Sequence, residues 1–258
     1  MNILTIDVGN TNISFAVFSI IRYKKDNSDC RPQIGRLIKK FYIPTQRYNM
    51  GNLKKLLAHQ TFEKIIICSV VPKVLQKLKI DLKKLLSRSP HCLGEDIKVP
   101  IRNLYQKPRQ VGQDRLVNAF AAAEIYGLPA IIVDFGTAIT FDAVSKNNEY
   151  LGGAILPGIE ISLDALARRT ALLPRVKLKK PSQLIGRDTK NSILSGVVYG
   201  YAILVDAFVK RIKKELAGPR VKVIATGGDI DMIGPMLSQI KIEDTNLTHK
   251  GLALISQI

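Results

Sequence analysis

The sequence predicts an α/β chain made of two related lobes. Strand-like apolar runs alternate with helix-like periodicity in both halves of the chain. A hairpin pattern near the N-terminus, "TIDVGNTNISFAV" (5–17), also returns as "IVDFGTAITFDAV" (132–144), offset by 127 of the 258 residues. The offset sets Asp7 on Asp134, Gly9 on Gly136, Ala16 on Ala143 and Val17 on Val144. In each copy an apolar strand ends in Asp, turns through Gly and a Thr-bearing tip, and returns as a second strand. One hairpin is common; two alike, half a chain apart, indicate two lobes of one design, divided as 1–115 and 116–258.

Taken in order, residues 2–7 and 12–18 read as strands, and the charged segment 22–40 as a long turn and a third strand. "NLKKLLAHQ" is a helix, "KIIICSV" a buried strand and "KVLQKLKIDLKKLLSRS" an amphipathic helix. "DRLVNAFAAAEIYG" predicts a helix with Asp114 near its start and Gly127 as its stop. After the second hairpin, "EYLGGAILPG" is strand and loop and "GIEISLDALARRT" a helix. "TKNSILSGVVYGYAILVDAFVKRIKKEL" is a long helical region, and "VKVIATGGD" a last strand running into glycines.

Composition narrows the class. With 46% apolar and 23% charged residues, the chain has the make-up of a soluble globular protein. No apolar run reaches the ~18 residues of a membrane span, and no signal-peptide pattern is expected. Cys30, Cys68 and Cys92 are scattered, without C-x-x-C, and read as reduced thiols of a cytoplasmic protein. His59, His91 and His249 are equally dispersed and offer no metal motif. The net charge of +18 favours polyanion association. The basic stretches lack interleaved aromatics and match no nucleic-acid motif, so solvated basic helix faces are the expectation.

The hairpins carry the first chemistry. A tight Gly turn lets backbone approach a ligand, and its N–H groups attract anions. Asn10 and Thr11 add donors. Asp7 would repel a phosphate directly, so its natural partner is a cation that bridges to phosphate, and Mg²⁺ suits that role. The plainer reading is that Asp7 and Asp134 brace their turns; the pairing favours a nucleotide triphosphate held by both. "VIATGGD" offers bare backbone at Gly227 and Gly228 for a base or ribose. In "LYQKPRQVGQDRLVNAF", Asp114 is either an N-cap or a general base for a substrate hydroxyl. Arg115 could meet a substrate carboxylate there, and Tyr105 could line the pocket.

"DVGNT", "GQDR", "DFGTAITFD", "GGAILPG" and "TGGD", followed by the tail "DTNLTHKGLALI", occur in one order. In that combination the chain strongly resembles the type III pantothenate kinases, from residue 2 to its end. The resemblance implies the actin-like (ribonuclease H-like) fold, with two lobes and a nucleotide cleft between them. It implies transfer of the ATP γ-phosphoryl group to the terminal hydroxyl of pantothenate, the first step toward coenzyme A. It makes Asp7, Val8, Gly9, Asn10 and Thr11 the first phosphate motif, with Asp7 near the magnesium-bound phosphates. Thr137 becomes the second phosphate contact, and Gly227 and Gly228 nucleotide contacts. Asp114 becomes the proton acceptor, and Tyr105, Gly112, Gln113, Asp114, Arg115 and Thr189 pantothenate contacts. Asp134 matches a potassium or ammonium ligand. The family also implies a homodimer; the composition and the basic stretches, read above, lead to the expectation of no membrane and no specific nucleic acid as partners.

The chain departs from the family in "SIIRYKKDNSDCRPQIGRLIKK", expected as an enlarged surface loop, and at Ile230, expected to crowd the adenosine where the family often has Ala. Because relatives of these kinases have been described as transcription accessory factors, a nucleic-acid-associated regulator of the same fold is the alternative reading.

Overall fold

The computed structural model describes residues 2–19, 34–58, 60–216 and 220–258. The enlarged loop expected in the charged segment falls mainly on residues outside these ranges, as do Cys30 and His59. The described chain divides into two compact units. The first comprises Met1–Ile101, Lys107–Ala121 and Leu247–Ile258; the second comprises Arg102–Gln106 and Ala122–Asn246.

Alternation of residue types builds the first sheet. β1 (Asn2–Val8) turns Leu4, Ile6 and Val8 into a core, while Thr5 and Asp7 stand on the other face. β2 (Asn12–Ser19) pairs with it antiparallel, and β3 (Leu37–Pro44) pairs antiparallel with β2. β4 (Lys64–Ser69) runs parallel to β1, and the short β5 (His91–Cys92) parallel to β4, giving the order β3-β2-β1-β4-β5. The apolar face is covered by α1 (Met50–Leu57), through Leu53 and Leu57, and by α2 (Pro72–Leu86), through Leu75, Leu78 and Leu82. The 3-and-4 spacing of those leucines sets them on one stripe, and each buried one contributes about 1.5–3 kcal/mol.

The Thr5–Asp7 face is covered from a distance in sequence. A C-terminal helix, Leu247–Ile255, packs on β1 and β4, with Ala253 beside Ala16 and Phe18. It also abuts α3 (Gln113–Tyr126): a Cβ on Gly251 would lie 2.7 Å from Val117 Cγ1, and Thr248 Oγ1 donates to Asn118 Oδ1 at 2.8 Å. This explains why the units depart from the expected halves 1–115 and 116–258. A sheet buried on both faces needs a second layer, and here the last residues of the chain supply it.

In the second unit β6 (Arg102–Asn103) lies at a sheet edge, beside β9 (Glu149–Pro157). β7 (Ala130–Phe135) and β8 (Ala138–Val144) form the second hairpin, and β10 (Lys222–Thr226) and β11 (Ile242–Glu243) extend the sheet in parallel. The run β9-β8-β7-β10-β11 repeats β3-β2-β1-β4-β5 in order and direction. The α/β fold of two related lobes is thus present strand for strand. α4 (Ile159–Arg169) and α5 (Thr189–Glu215) bury Ile159, Leu163, Val197, Val205 and Val209 against Val133, Phe135, Phe141 and Ala225. By length and apolarity α5 would suffice to cross a membrane, unlike the sequence expectation, but 44% of its most apolar stretch is buried inside the protein, and Ile193, Val197, Ala202, Val205 and Val209 belong to this core.

The hairpin match also needs a correction. Beyond the turn the two copies slip by one residue: Asp7 faces Ser14, whereas Asp134 faces Thr140. Thr5 faces Ala16, whereas Ile132 faces Asp142, so Ala16 and Val17 are not the counterparts of Ala143 and Val144. The second turn is one residue shorter, with Gly136 N donating to Ala138 O where Gly9 N donates to Asn12 O. A one-residue slip exchanges sheet faces, so only the tertiary pairing reveals which residues are equivalent.

Candidate active site

In the first unit, Gly9 N donates to Asn12 O at 3.0 Å and closes the turn after β1. Thr45, just past β3, locks it: its N–H donates to Thr11 O at 2.9 Å and its hydroxyl to Gly9 O at 2.7 Å. The turn is held from behind while Asn10 and Thr11 stay exposed. Val8 differs from its neighbours, because its side chain is fully buried in the core and its carbonyl accepts from Val70 N–H.

Asp7 lies between Ser14 of β2 and Cys68 of β4 in the strand register. Burial pushes its carboxyl up to about 7, the charge on Asp114 pushes in the same direction, and Lys40 partly offsets both. Asp114 sits one residue inside α3, which starts at Gln113, with Leu116 N–H donating to Gly112 O. Gly112 therefore occupies the cap position, and the N-cap reading of Asp114 does not hold. The Asp114 carboxylate folds over Gly112 instead: a Cβ there would lie 2.3 Å from Oδ1. The same oxygen accepts the Arg115 N–H at 2.9 Å. Burial raises the Asp114 pKa, with the Arg115 amide and guanidinium opposing the rise. Cys68 reports the same acidic neighbourhood, its thiol pushed well up by burial and by the charges of Asp7 and Asp114.

The corner of the second unit is lined by glycine. Gly158 N donates to Thr137 O at 3.0 Å, and Asp229 N to Phe135 O at 3.1 Å. A Cβ on Gly158 would come 2.3 Å from Thr137 O, and one on Gly227, whose φ is +99°, 2.4 Å from Phe135 O. The turn through Phe135, Gly136 and Thr137 is thus wedged between two residues that must lack side chains. Gly228 faces open space. The Asp134 carboxylate leans over Gly136, with Oδ1 3.5 Å from where a Cβ would be. Burial, helped by Glu160, pushes the Asp229 carboxyl up to about 6. Ile230 points into the core and is fully buried, so the expected crowding of a nucleotide by its side chain gives way to packing.

Tyr105 also belongs to the second unit. Its amide donates to Asn103 Oδ1 at 3.0 Å, and its ring lies over Gly152, 6.5 Å from the Tyr150 ring. Tyr150 is fixed in turn by its hydroxyl, which donates to buried Asp142 at 2.7 Å. Thr189 is exposed in the first turn of α5, after Asp188, whose side chain caps the helix by accepting Asn191 N–H at 2.9 Å. Asp188 and Lys190 line an open cavity of about 540 Å³ with Arg175, Lys177 and Lys179.

The fold therefore brings Asp7, Gly9–Thr11 and Gly112–Arg115 into one unit, and Asp134, Thr137, Gly227 and Gly228 together in the other. Sequence reasoning missed Lys40, Cys68, Gly158 and Glu160. Lys40 and Cys68 enter by strand pairing, Gly158 by its close approach to the Thr137 turn and Glu160 by its charge on Asp229, none of which spacing along the chain signals.

The family model described as type III pantothenate kinase matches residues 3–211. A type III pantothenate kinase of Moorella thermoacetica is 39% identical over 259 residues, covering 98% of both chains. One of Halalkalibacterium halodurans is 40% identical over 263 residues, again covering 98% of each. Among solved structures, the fold resembles that of a protein described as of the Baf family of transcriptional activators, from Campylobacter jejuni (TM-score 0.57, 22% identity, 98% of this chain and 97% of that one). It also resembles glucokinase from an Antarctic psychrotroph (TM-score 0.50, 10% identity, 98% of each chain). These two likenesses concern the fold, that of actin-like sugar kinases in the second case. With the family model and the two near-full-length relatives in agreement, the chain belongs to the type III pantothenate kinase family.

Proposed function

We propose that this chain transfers the γ-phosphoryl group of ATP to the terminal hydroxyl of pantothenate, giving 4'-phosphopantothenate in the first step of coenzyme A biosynthesis. Family membership supports the reaction. The structural observation that carries it is the pair Asp7 and Asp114, two carboxylates in one unit with raised pKa values, one beside an anion-attracting turn and the other at a helix start.

In this reading Asp114 accepts the hydroxyl proton as the oxygen attacks phosphorus. Its raised pKa makes it a better base than an ordinary aspartate. Most of the acceleration comes from positioning and charge neutralisation. Arg115 pairs with the pantothenate carboxylate, while Tyr105, Gly112, Gln113 and Thr189 line the acceptor. The Gly9–Asn10–Thr11 turn, including the backbone of Val8, and Thr137 hold phosphate oxygens; Gly227 and Gly228 lie against the nucleoside.

The residues fit magnesium. Their donors are hard oxygens, and burial and the Asp114 charge, which raise the Asp7 pKa despite Lys40, are what a bound divalent cation would offset. Bound with ATP, magnesium supplies charge that the phosphates and Asp7 share. Asp134, with the Thr140 hydroxyl opposite it, offers oxygen donors to potassium or ammonium. The enzyme acts in the cytoplasm as a homodimer. Self-association is supported by Ile203 on α5 and by Leu172, Leu184 and Ile185, all left exposed.

A coupled assay of ADP release, with pantothenate as acceptor beside glucose and glycerol, tests the proposal. ADP release driven by pantothenate alone is the expected result. Release with a sugar and none with pantothenate would overturn it.

A further inference from the structure

Beneath Asp7 lies a buried histidine that the reaction above does not use. His249, on the C-terminal helix, reaches both strands of the first hairpin. Its Nδ1 is 2.8 Å from Thr5 Oγ1, and its Nε2 is 2.7 Å from Ser14 Oγ. Thr5 lies two residues before Asp7 on the same face of β1, and Ser14 faces Asp7 directly. The histidine thus bridges the two rungs on which the corner aspartate depends.

The hydrogen atoms can be assigned. We assign the Thr5 hydroxyl proton to Ala16 O, 3.2 Å away, which makes Thr5 Oγ1 the acceptor in its contact with the histidine. Nδ1 then carries the ring proton, and the bare lone pair of Nε2 accepts a hydrogen bond from the Ser14 hydroxyl. With its only proton committed, Ser14 Oγ has nothing but lone pairs left to offer.

The second hairpin arrives at the same result by another route. Thr140, the residue facing Asp134, donates its hydroxyl proton to Asp142 Oδ2 at 3.1 Å. Asp142 is fully buried and also accepts from Tyr150. His249 comes from a remote helix and Asp142 from the same strand as Thr140. In both units, however, the hydroxyl facing the corner aspartate donates its hydrogen bond to a buried acceptor. An oxygen prepared in this way beside a carboxylate suits a cation or the water around it, and would repel a phosphate oxygen.

We propose that Ser14 Oγ is a second oxygen donor beside Asp7 for the divalent cation that accompanies the nucleotide, and that His249 is the positioning residue that orients it. The inference rests on the assignment of the Asp7 turn to the metal-bearing phosphates.

Calorimetric titration of Mn²⁺ and a non-hydrolysable ATP analogue into the full chain, each with and without the other, tests it without turnover. Ser14→Ala and His249→Leu are each expected to weaken metal-dependent nucleotide binding by about three- to tenfold while leaving metal-free binding unchanged. The double variant is expected to be no worse than either single one, because the two residues act through one oxygen. His249→Gln, whose amide can donate to Thr5 and accept from Ser14, is expected to restore most of the affinity. This keeps the idea testable should the leucine variant fail to fold. Unchanged metal dependence in Ser14→Ala, or losses that add in the double variant, would overturn the proposal. Asp7→Asn, run alongside, separates the two levels. If that variant also binds metal and nucleotide normally, the assignment of the turn itself is wrong; if it alone loses binding, only the role of Ser14 and His249 fails.

Discussion

The charge on Asp114, in the first turn of a helix, helps to push the Asp7 carboxyl, at the end of the first strand, up to about 7. Two acids far apart in the chain therefore share one electrostatic environment, and Cys68, beside Asp7 on β4, registers both of them. Like charges held this close disfavour joint ionisation unless a cation arrives.

Asp114→Asn is expected to keep the fold and ATP binding and to cut phosphoryl transfer by roughly two to four orders of magnitude. Single-turnover rates with a separate measurement of nucleotide binding check this. Near-normal turnover would remove Asp114 from the mechanism.

Asp7 makes stability depend on pH in a defined direction. A carboxyl whose pKa is higher folded than unfolded binds more protons in the folded state between the two values, so stability falls as pH rises through that window. For Asp7 the window runs from 3.8 to about 7. Asp7→Asn carries no such penalty. Without ligands, its melting temperature is expected to gain on the parent protein between pH 5 and pH 8, although activity is lost. A constant difference across that range would contradict the environment described for Asp7.

Gly227 and Gly228 are neighbours with opposite tolerance. Gly227→Ala meets the Phe135 backbone at 2.4 Å and must hold φ +99°, so it is expected to cost about 1–3 kcal/mol and to raise KM for ATP. Gly228→Ala meets nothing within 4 Å and is expected to melt like the parent. Any loss of ATP affinity in the second variant then reports a nucleoside lying against that backbone. Equal destabilisation of the two would argue against the wedge at Phe135.

Activity is expected to require potassium or ammonium in addition to magnesium, and Asp134→Asn to lose that dependence along with most of its rate. Initial rates in potassium, ammonium and sodium buffers decide the matter, and full activity in sodium alone would remove the cation from Asp134.

Much of this protein was legible in its sequence. Alternating apolar residues announced the strands, the 3-and-4 leucine spacing announced α2, and the motifs around Asp7, Asp114 and Asp134 announced the family. These signals are local, because period and turn chemistry depend on neighbours a few residues away. The short strands β5, β6 and β11 and the C-terminal helix went unread. Two-residue strands have no period, and "LTHKGLALI" is buried nearly all round and so shows no polar face.

The sequence by itself determined the alternating elements, the doubled hairpin and the residue types at its corners. Only the tertiary structure decided that the last helix covers the first sheet, that Ser14 rather than Ile13 is the counterpart of Thr140, and that Asp114 acts on Asp7. The reason is physical. Period and turn preference are properties of adjacent residues, whereas register, burial and the coupling of charges depend on which distant segments exclude water from one another.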